Sequence, residues 1–188
     1  MSLPRLRSVV VTLAARGTDR AADREALVTA VAAACGPDRV TVRAGRSCAH
    51  CGGTDHGPPW AEVDGDPVGV SLARTTGLLA LAVGPGPLGV DVELVSRVAA
   101  APLDVFTPDE RSRIGDDARA HAACWAVKEA VRKRDGRGLR VDPASVEVDL
   151  VRRVARFDGT EQPVTVVFPA ADVVVAVAAG GAPVSVAG

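Results

Sequence analysis

An apolar run from Ser8 to Leu13 predicts a strand, and the next segment, Arg20 to Ala34, carries Ala26, Leu27, Ala30, Val31 and Ala34 on one helical stripe. A short strand is expected at Val40–Arg43, followed by a loop rich in Cys, Gly and Pro. Two further apolar runs, Val68–Leu72 and Leu78–Val83, read as strands, and Gly84-Pro85-Gly86-Pro87 breaks the second. The pattern then begins again. Leu88-Gly89-Val90-Asp91-Val92-Glu93 alternates as a strand does. Thr107-Pro108-Asp109-Glu110 joins a capping box to a proline at the first helical position. A longer helix is predicted from Asp117 to Arg134, ended by Gly136 and Gly138. Four strand-like runs follow: Val146–Leu150, Val154–Phe157, Val164–Phe168 and Val173–Ala178.

Strand, helix, then several antiparallel strands thus occur twice, without any repeat of the sequence itself. The expected fold class is α+β, two similar lobes spanning residues 1–87 and 88–188.

Composition narrows the class. With 188 residues, 47% apolar and 24% charged, the chain has the balance of a folded domain. Its net charge of -1 offers no global positive field for gripping a nucleic-acid backbone. No apolar run approaches the roughly 20 residues that span a bilayer, and Met1–Arg7 lacks the apolar core of a signal peptide. A cytoplasmic chain without membrane partners is expected. Of the 22 basic residues only Lys128 and Lys133 are lysines, five apart in one predicted helix. Lysine offers a compact, mobile ammonium that arginine does not reproduce.

Four cysteines, at 35, 48, 51 and 124, are expected as reduced thiols in that compartment. Cys48-Ala-His50-Cys51 has the C-x2-C spacing of a zinc knuckle, and His56 supplies a third ligand type. A second close pair is missing, so His50 or Cys35 would have to complete a zinc site. The competing reading is a glycine-rich surface loop with two free thiols.

Asp91 and Glu93 sit two apart on a strand and so share a face, while Val90 and Val92 point into a core. Two adjacent carboxylates repel, and a hard cation relieves the repulsion; an exposed sheet edge gives the same alternation. On the long helix Trp125, Glu129 and Lys133 recur at four-residue intervals beside Lys128. A surface ion pair explains Glu129 and Lys133 equally well.

Taken together, Gly89-Val-Asp91-Val-Glu93 and, 31 residues later, Trp125-Ala-Val-Lys128-Glu129-Ala-Val-Arg-Lys133 resemble the signature of the 4'-phosphopantetheinyl transferases, G-[IV]-D-[IV]-E followed by W-x-x-K-E-[AS]-x-x-K. Gly136-Arg-Gly138-Leu139 is similar to the family's G-x-G-L continuation. Length and the two-lobed order resemble the larger, pseudodimeric type that activates peptide and polyketide synthases. The resemblance implies a monomer that moves the phosphopantetheine arm of coenzyme A onto a serine of an apo acyl or peptidyl carrier protein, releasing 3',5'-ADP. It implies Mg2+ held by Asp91, Glu93 and Glu129, with Glu129 taking the serine proton. Lys133 would serve the leaving phosphate, and Lys128 would support the phosphates or the metal carboxylates.

The chain departs from the family at two places. The usual S-H-S reads Ala73-Arg74-Thr75 here, which makes Arg74 and Thr75 the expected phosphate contacts. G-K-P reads Gly57-Pro58-Pro59, so the phosphate-binding lysine is absent and Arg46 is its expected substitute. Arg20 and Arg24 fall where the family's basic residues approach the 3'-phosphate of coenzyme A. Two alternatives follow: a degenerate member that binds coenzyme A or a carrier without turnover, and a zinc-dependent interaction module centred on Cys48, Cys51 and His56.

Overall fold

The computed structural model describes residues 6–36, 41–101 and 103–187. Its first half runs β1 (Val9–Ala15), α1 (Arg20–Cys35), β2 (Val42–Arg46), β3 (Pro59–Val63), β4 (Asp66–Thr75) and β5 (Leu78–Gly84). The second runs β6 (Gly89–Leu94), α2 (Val95–Ala100), α3 (Pro108–Ile114), α4 (Ala118–Asp135), β7 (Glu147–Asp149), β8 (Val154–Phe157), β9 (Thr160–Ala170), β10 (Val173–Ala178) and β11 (Val184–Ala187). Among the described residues no helix is long and apolar enough to cross a membrane.

The two halves share one topology. The first sheet is ordered β1-β5-β4-β3-β2 and the second β6-β10-β9-β8-β7, so in each the opening strand pairs with the last of the hairpin series. This is the α+β fold of two similar lobes. The terminal β11 crosses over to run parallel with β1 and completes a six-stranded first sheet.

Alternation along the strands sorts the side chains into layers. Leu79, Leu81 and Val83 of β5 face α1 and pack with Leu27, Ala30 and Val31. Their neighbours Ala80 and Ala82 face the other way, into a core shared by both sheets with Val9, Val11, Val90, Val92, Val175 and Val177. Beyond it, Val174, Ala176 and Ala178 pack under Ala122, Ala126, Val127 and Ala130 of α4. The order is helix, sheet, sheet, helix.

Three elements escape a local reading. Pro58-Pro59 signals a loop, yet Pro59 is the first residue of β3, where proline is tolerated. Helix α2 has no capping side chain of its own; Asp172, 76 residues away, accepts from Ser96 N at 2.7 Å and Ser96 Oγ at 2.8 Å. β11 is recruited only by its partner, with Val9 N donating to Pro183 O at 2.7 Å. The strand expected at 40–43 is β2, shifted toward Arg46; Val40 itself lies outside the described residues.

Gly89 fixes how closely α4 approaches β6. A Cβ there would lie 1.9 Å from the Ala130 carbonyl oxygen and 2.7 Å from Arg134 N, both backbone atoms of the helix. Gly89→Ala must therefore push the helix off the strand, at a cost of about 1–3 kcal/mol or more. A lower urea midpoint should record it; an unchanged midpoint would mean that the helix is not seated on this strand.

Candidate active site

The contact between β6 and α4 brings the acidic residues together. Gly89, Asp91 and Glu93 share the face of β6 turned to the helix, while Val90 and Val92 enter the inter-sheet core. On α4, Trp125, Glu129 and Lys133 recur once per turn and meet that face. Lys133 Nζ donates to Asp91 Oδ1 at 2.7 Å and to the Val90 carbonyl at 3.0 Å. Trp125 Nε1 donates to Glu93 Oε1 at 3.0 Å, and Arg132 pairs with Glu129 Oε1. Each carboxylate is thus steered through one oxygen.

The second oxygen of Asp91 is buried without a hydrogen-bond partner. Burial pushes the Asp91 carboxyl up to about 7; the Lys133 ammonium opposes that shift, and the charges of Glu93 and Glu129 add to it. Burial raises the Glu93 carboxyl as well, against the Trp125 hydrogen bond and the charges of Lys133 and Arg97. An acidic group so short of positive charge and hydrogen-bond donors is a setting into which a hard cation fits.

The expected basic residues gather on the first lobe. Arg20, Arg24, Arg46 and Arg74 line one cavity of about 300 Å3, together with Leu27, Gly45, Thr54, Asp55 and Leu72. Each guanidinium is tethered. Arg24 Nε donates to Ala44 O and Arg46 Nη1 to Gly57 O, both at 2.7 Å; Arg20 Nη1 donates to Asp55 O at 2.8 Å. Arg74 pairs through Nε with the buried Asp23. Arginine carries five N–H donors, so tethering one or two leaves others to serve a ligand. Burial, then the charges of Arg74 and Arg20, pull the Arg46 pKa below its ordinary value.

Thr75 follows Arg74 on β4 and is buried with its Oγ1 unpartnered. From the other lobe Arg97 of α2 donates to Thr76 Oγ1 at 2.9 Å, and its charge is felt at Glu93. The turn after β4 therefore links the arginine pocket to the acidic face.

Lys128 departs from expectation. It is fully buried, 2.9 Å from Glu110 Oε1, and donates to the carbonyls of Pro143 and Val146. One residue is about 100° around a helix, so Lys128 points away from Glu129 toward α3 and β7 and does not reach the carboxylates. Glu110 Oε1 also accepts from Val148 N at 2.7 Å, and Oε2 accepts from Thr107 N at 2.8 Å to close the capping box. The lysine serves packing. Sequence reasoning missed Arg132, Asp23 and Arg97: Arg132 had a signal, an opposite charge three residues from Glu129 on one helix, whereas Asp23 and Arg97 are picked out only by Arg74 and Thr76, far along the chain.

The C-x2-C loop is tightly folded. The ligand atoms of Cys48, Cys51 and His56 lie within 4.8 Å of one another, and neither Cys35 nor His50 belongs to the group. The Cys51 and His50 backbone N–H groups hold the Cys48 thiol down to about 7.

Residues 87–178 match the 4'-phosphopantetheinyl transferase superfamily. The similarity to that superfamily is carried by the second lobe. Every element that frames the acidic cluster lies inside the matched segment, whereas the arginine pocket lies before it. No curated protein matches the sequence. A phosphopantetheinyl transferase is what this lobe supports.

Lys128→Met should cost about 3–5 kcal/mol by stranding the Glu110 carboxylate. Converting Glu110 to Leu in the same chain should recover much of that loss in urea denaturation. A Lys128→Met protein of native stability that had lost all transferase activity would overturn the structural assignment.

Proposed function

We propose that the protein transfers 4'-phosphopantetheine from coenzyme A to a serine of an apo acyl or peptidyl carrier protein, releasing 3',5'-ADP. The observation that carries this reading is the convergence of Asp91, Glu93 and Glu129 beside Lys133, with one Asp91 oxygen buried and unpartnered. The three carboxylates form the oxygen donor set that suits Mg2+. When bound, the ion neutralises and polarises pyrophosphate oxygens.

The chain's own groups do the rest. Glu129, its Oε1 held by Arg132, takes the proton from the serine hydroxyl. The serine oxygen bonds to the β-phosphorus of coenzyme A as the bond from that phosphorus to the bridging oxygen breaks. The bridging oxygen leaves on the α-phosphate of 3',5'-ADP. Lys133 already spends two of its three N–H donors on Asp91 and Val90, and the third serves that leaving phosphate.

Arg20, Arg24, Arg46 and Arg74 bind the phosphates at the nucleotide end, the 3'-phosphate foremost; Thr75, next to Arg74 on β4, faces the other side of the strand and is not part of this pocket. Arg74 stands in for the family's histidine and Asp23 fixes its direction, so the pocket gains a permanent charge with a bidentate face. Two lobes of one topology in a single chain support the larger, pseudodimeric type acting as a monomer.

Intact mass spectrometry of apo carrier proteins incubated with the protein, coenzyme A and Mg2+ should record the gain of one phosphopantetheine group, abolished by EDTA. Glu129→Gln should lower the rate by at least about 100-fold with the fold retained; full turnover in that variant overturns its role as base. Arg74→His should raise the KM for coenzyme A by about 10-fold, the size of one charge-assisted hydrogen bond. A faster enzyme would identify Arg74 as a handicap, and coenzyme A binding without transfer to any carrier would favour the degenerate reading.

A further inference from the structure

The loop between β2 and β3, residues 47–58, is rich in glycine and outside the reaction described above, yet it is held in more detail than a surface connection requires. Its first cysteine opens a closed turn: Cys48 N donates to Gly53 O and Gly52 N to Cys48 O, both at 2.9 Å. Gly52 takes a left-handed φ of +71, which lets the turn return on itself. Gly53 N then points at sulfur, 3.4 Å from Cys51 Sγ.

The third group closes on the same point. His56 Nε2 lies 3.2 Å from Cys51 Sγ, and Cys48 Sγ completes a group within 4.8 Å. Tetrahedral bonds of about 2.3 Å to sulfur and 2.0 Å to nitrogen place ligand atoms roughly 3.5 Å apart, so a small cation needs only minor closure of this set. The far side of the imidazole is also fixed. His56 Nδ1 lies 2.6 Å from Asp55 Oδ1, which keeps the proton on Nδ1 and turns the Nε2 lone pair toward the sulfurs. A carboxylate behind a ligating histidine is the usual outer partner of a protein zinc ion.

We propose that Cys48, Cys51 and His56 bind one zinc-class divalent cation, with Asp55 as the carboxylate behind His56, and that the ion fixes this loop as the outer wall of the arginine pocket. Two thiolates and an imidazole select a borderline-soft cation over Mg2+, so the site is chemically separate from the oxygen donors on the second lobe. Three protein ligands leave a fourth position to water or an incoming donor.

The coupling to the pocket is direct. Arg20 is tethered to the Asp55 carbonyl and Arg46 to the Gly57 carbonyl, one on each side of His56. Thr54 and Asp55 are themselves part of the pocket lining. At Gly57, φ +91, a Cβ would lie 2.4 Å from Ser47 O, so the two ends of the loop already touch. Stapling 48, 51 and 56 therefore sets where two of the four guanidinium groups stand. This last step rests on the proposal that the pocket receives the phosphates of coenzyme A; the metal site itself does not.

The full-length protein, purified under reducing conditions without chelator, should contain about one equivalent of zinc by elemental analysis. Cobalt(II) added to the stripped protein should give the intense near-ultraviolet thiolate charge-transfer band and visible bands of a tetrahedral site. Cys48→Ser and Cys51→Ser should each abolish both signals. Asp55→Ala should weaken cobalt binding about 10- to 100-fold. Stripping zinc should weaken 3',5'-ADP binding by calorimetry several-fold, with the far-ultraviolet spectrum unchanged. Protein free of zinc that also gives no cobalt band, or cobalt bands that survive in Cys51→Ser, would overturn the site. An intact metal site with unchanged 3',5'-ADP affinity would overturn its coupling to the pocket, and a metal site in a protein that binds no 3',5'-ADP would instead count against the assignment of the pocket.

Discussion

The close seating of α4 on β6 is the constraint on which the rest depends. Gly89 removes the side chain that would hold the two backbones apart, and the approach it allows lets Lys133 reach Asp91 and Trp125 reach Glu93. Move the helix outward by the width of a methyl group, and these hydrogen bonds stretch beyond useful length. The Glu110–Lys128 pair works from the opposite side of the same helix, tying it to α3 and to the start of β7. A helix pinned on both sides carries Glu129 at a fixed place.

Two clusters of like charge result, one on each lobe. The acidic one holds Asp91 up near 7 because burial and its carboxylate neighbours outweigh the single ammonium of Lys133. The basic one crowds four guanidinium groups around a cavity and depresses Arg46. Neither arrangement favours the empty protein. On the function proposed above, both belong to one site for a ligand that brings phosphates to the arginines and a divalent cation to the carboxylates, since binding then relieves both imbalances together. The shared inter-sheet core of Val9, Val11, Val90, Val92, Val175 and Val177 packs the two sheets against each other.

On the proposed reading, in which Arg74 stands where the family has a histidine, its surroundings absorb the change. A flexible arginine in place of an imidazole would be a poorly aimed charge. Asp23, buried on α1 and also accepting from Gly17 N at 3.3 Å, takes hold of its Nε and leaves the terminal nitrogens to the pocket. The pair joins a helix to a strand 51 residues apart, and neither residue announces the other in the sequence.

Much of the architecture was legible in the sequence because hydrophobic period and capping chemistry are local. Alternation at 88–93, the Thr107–Glu110 box and the apolar stripe of α1 each determine an element from within a few residues. The motif residues Asp91, Glu93, Glu129 and Lys133 were likewise readable, since strand and helix periods put each set on one face. Tertiary structure alone decided the remainder. It turned Lys128 into the core, because a 100° step along a helix carries no label until something packs against it. It capped α2 with Asp172, drew β11 to β1, and assembled four scattered arginines around one cavity. In each of these cases the partner lies far along the chain, and only closure of the fold brings it within reach.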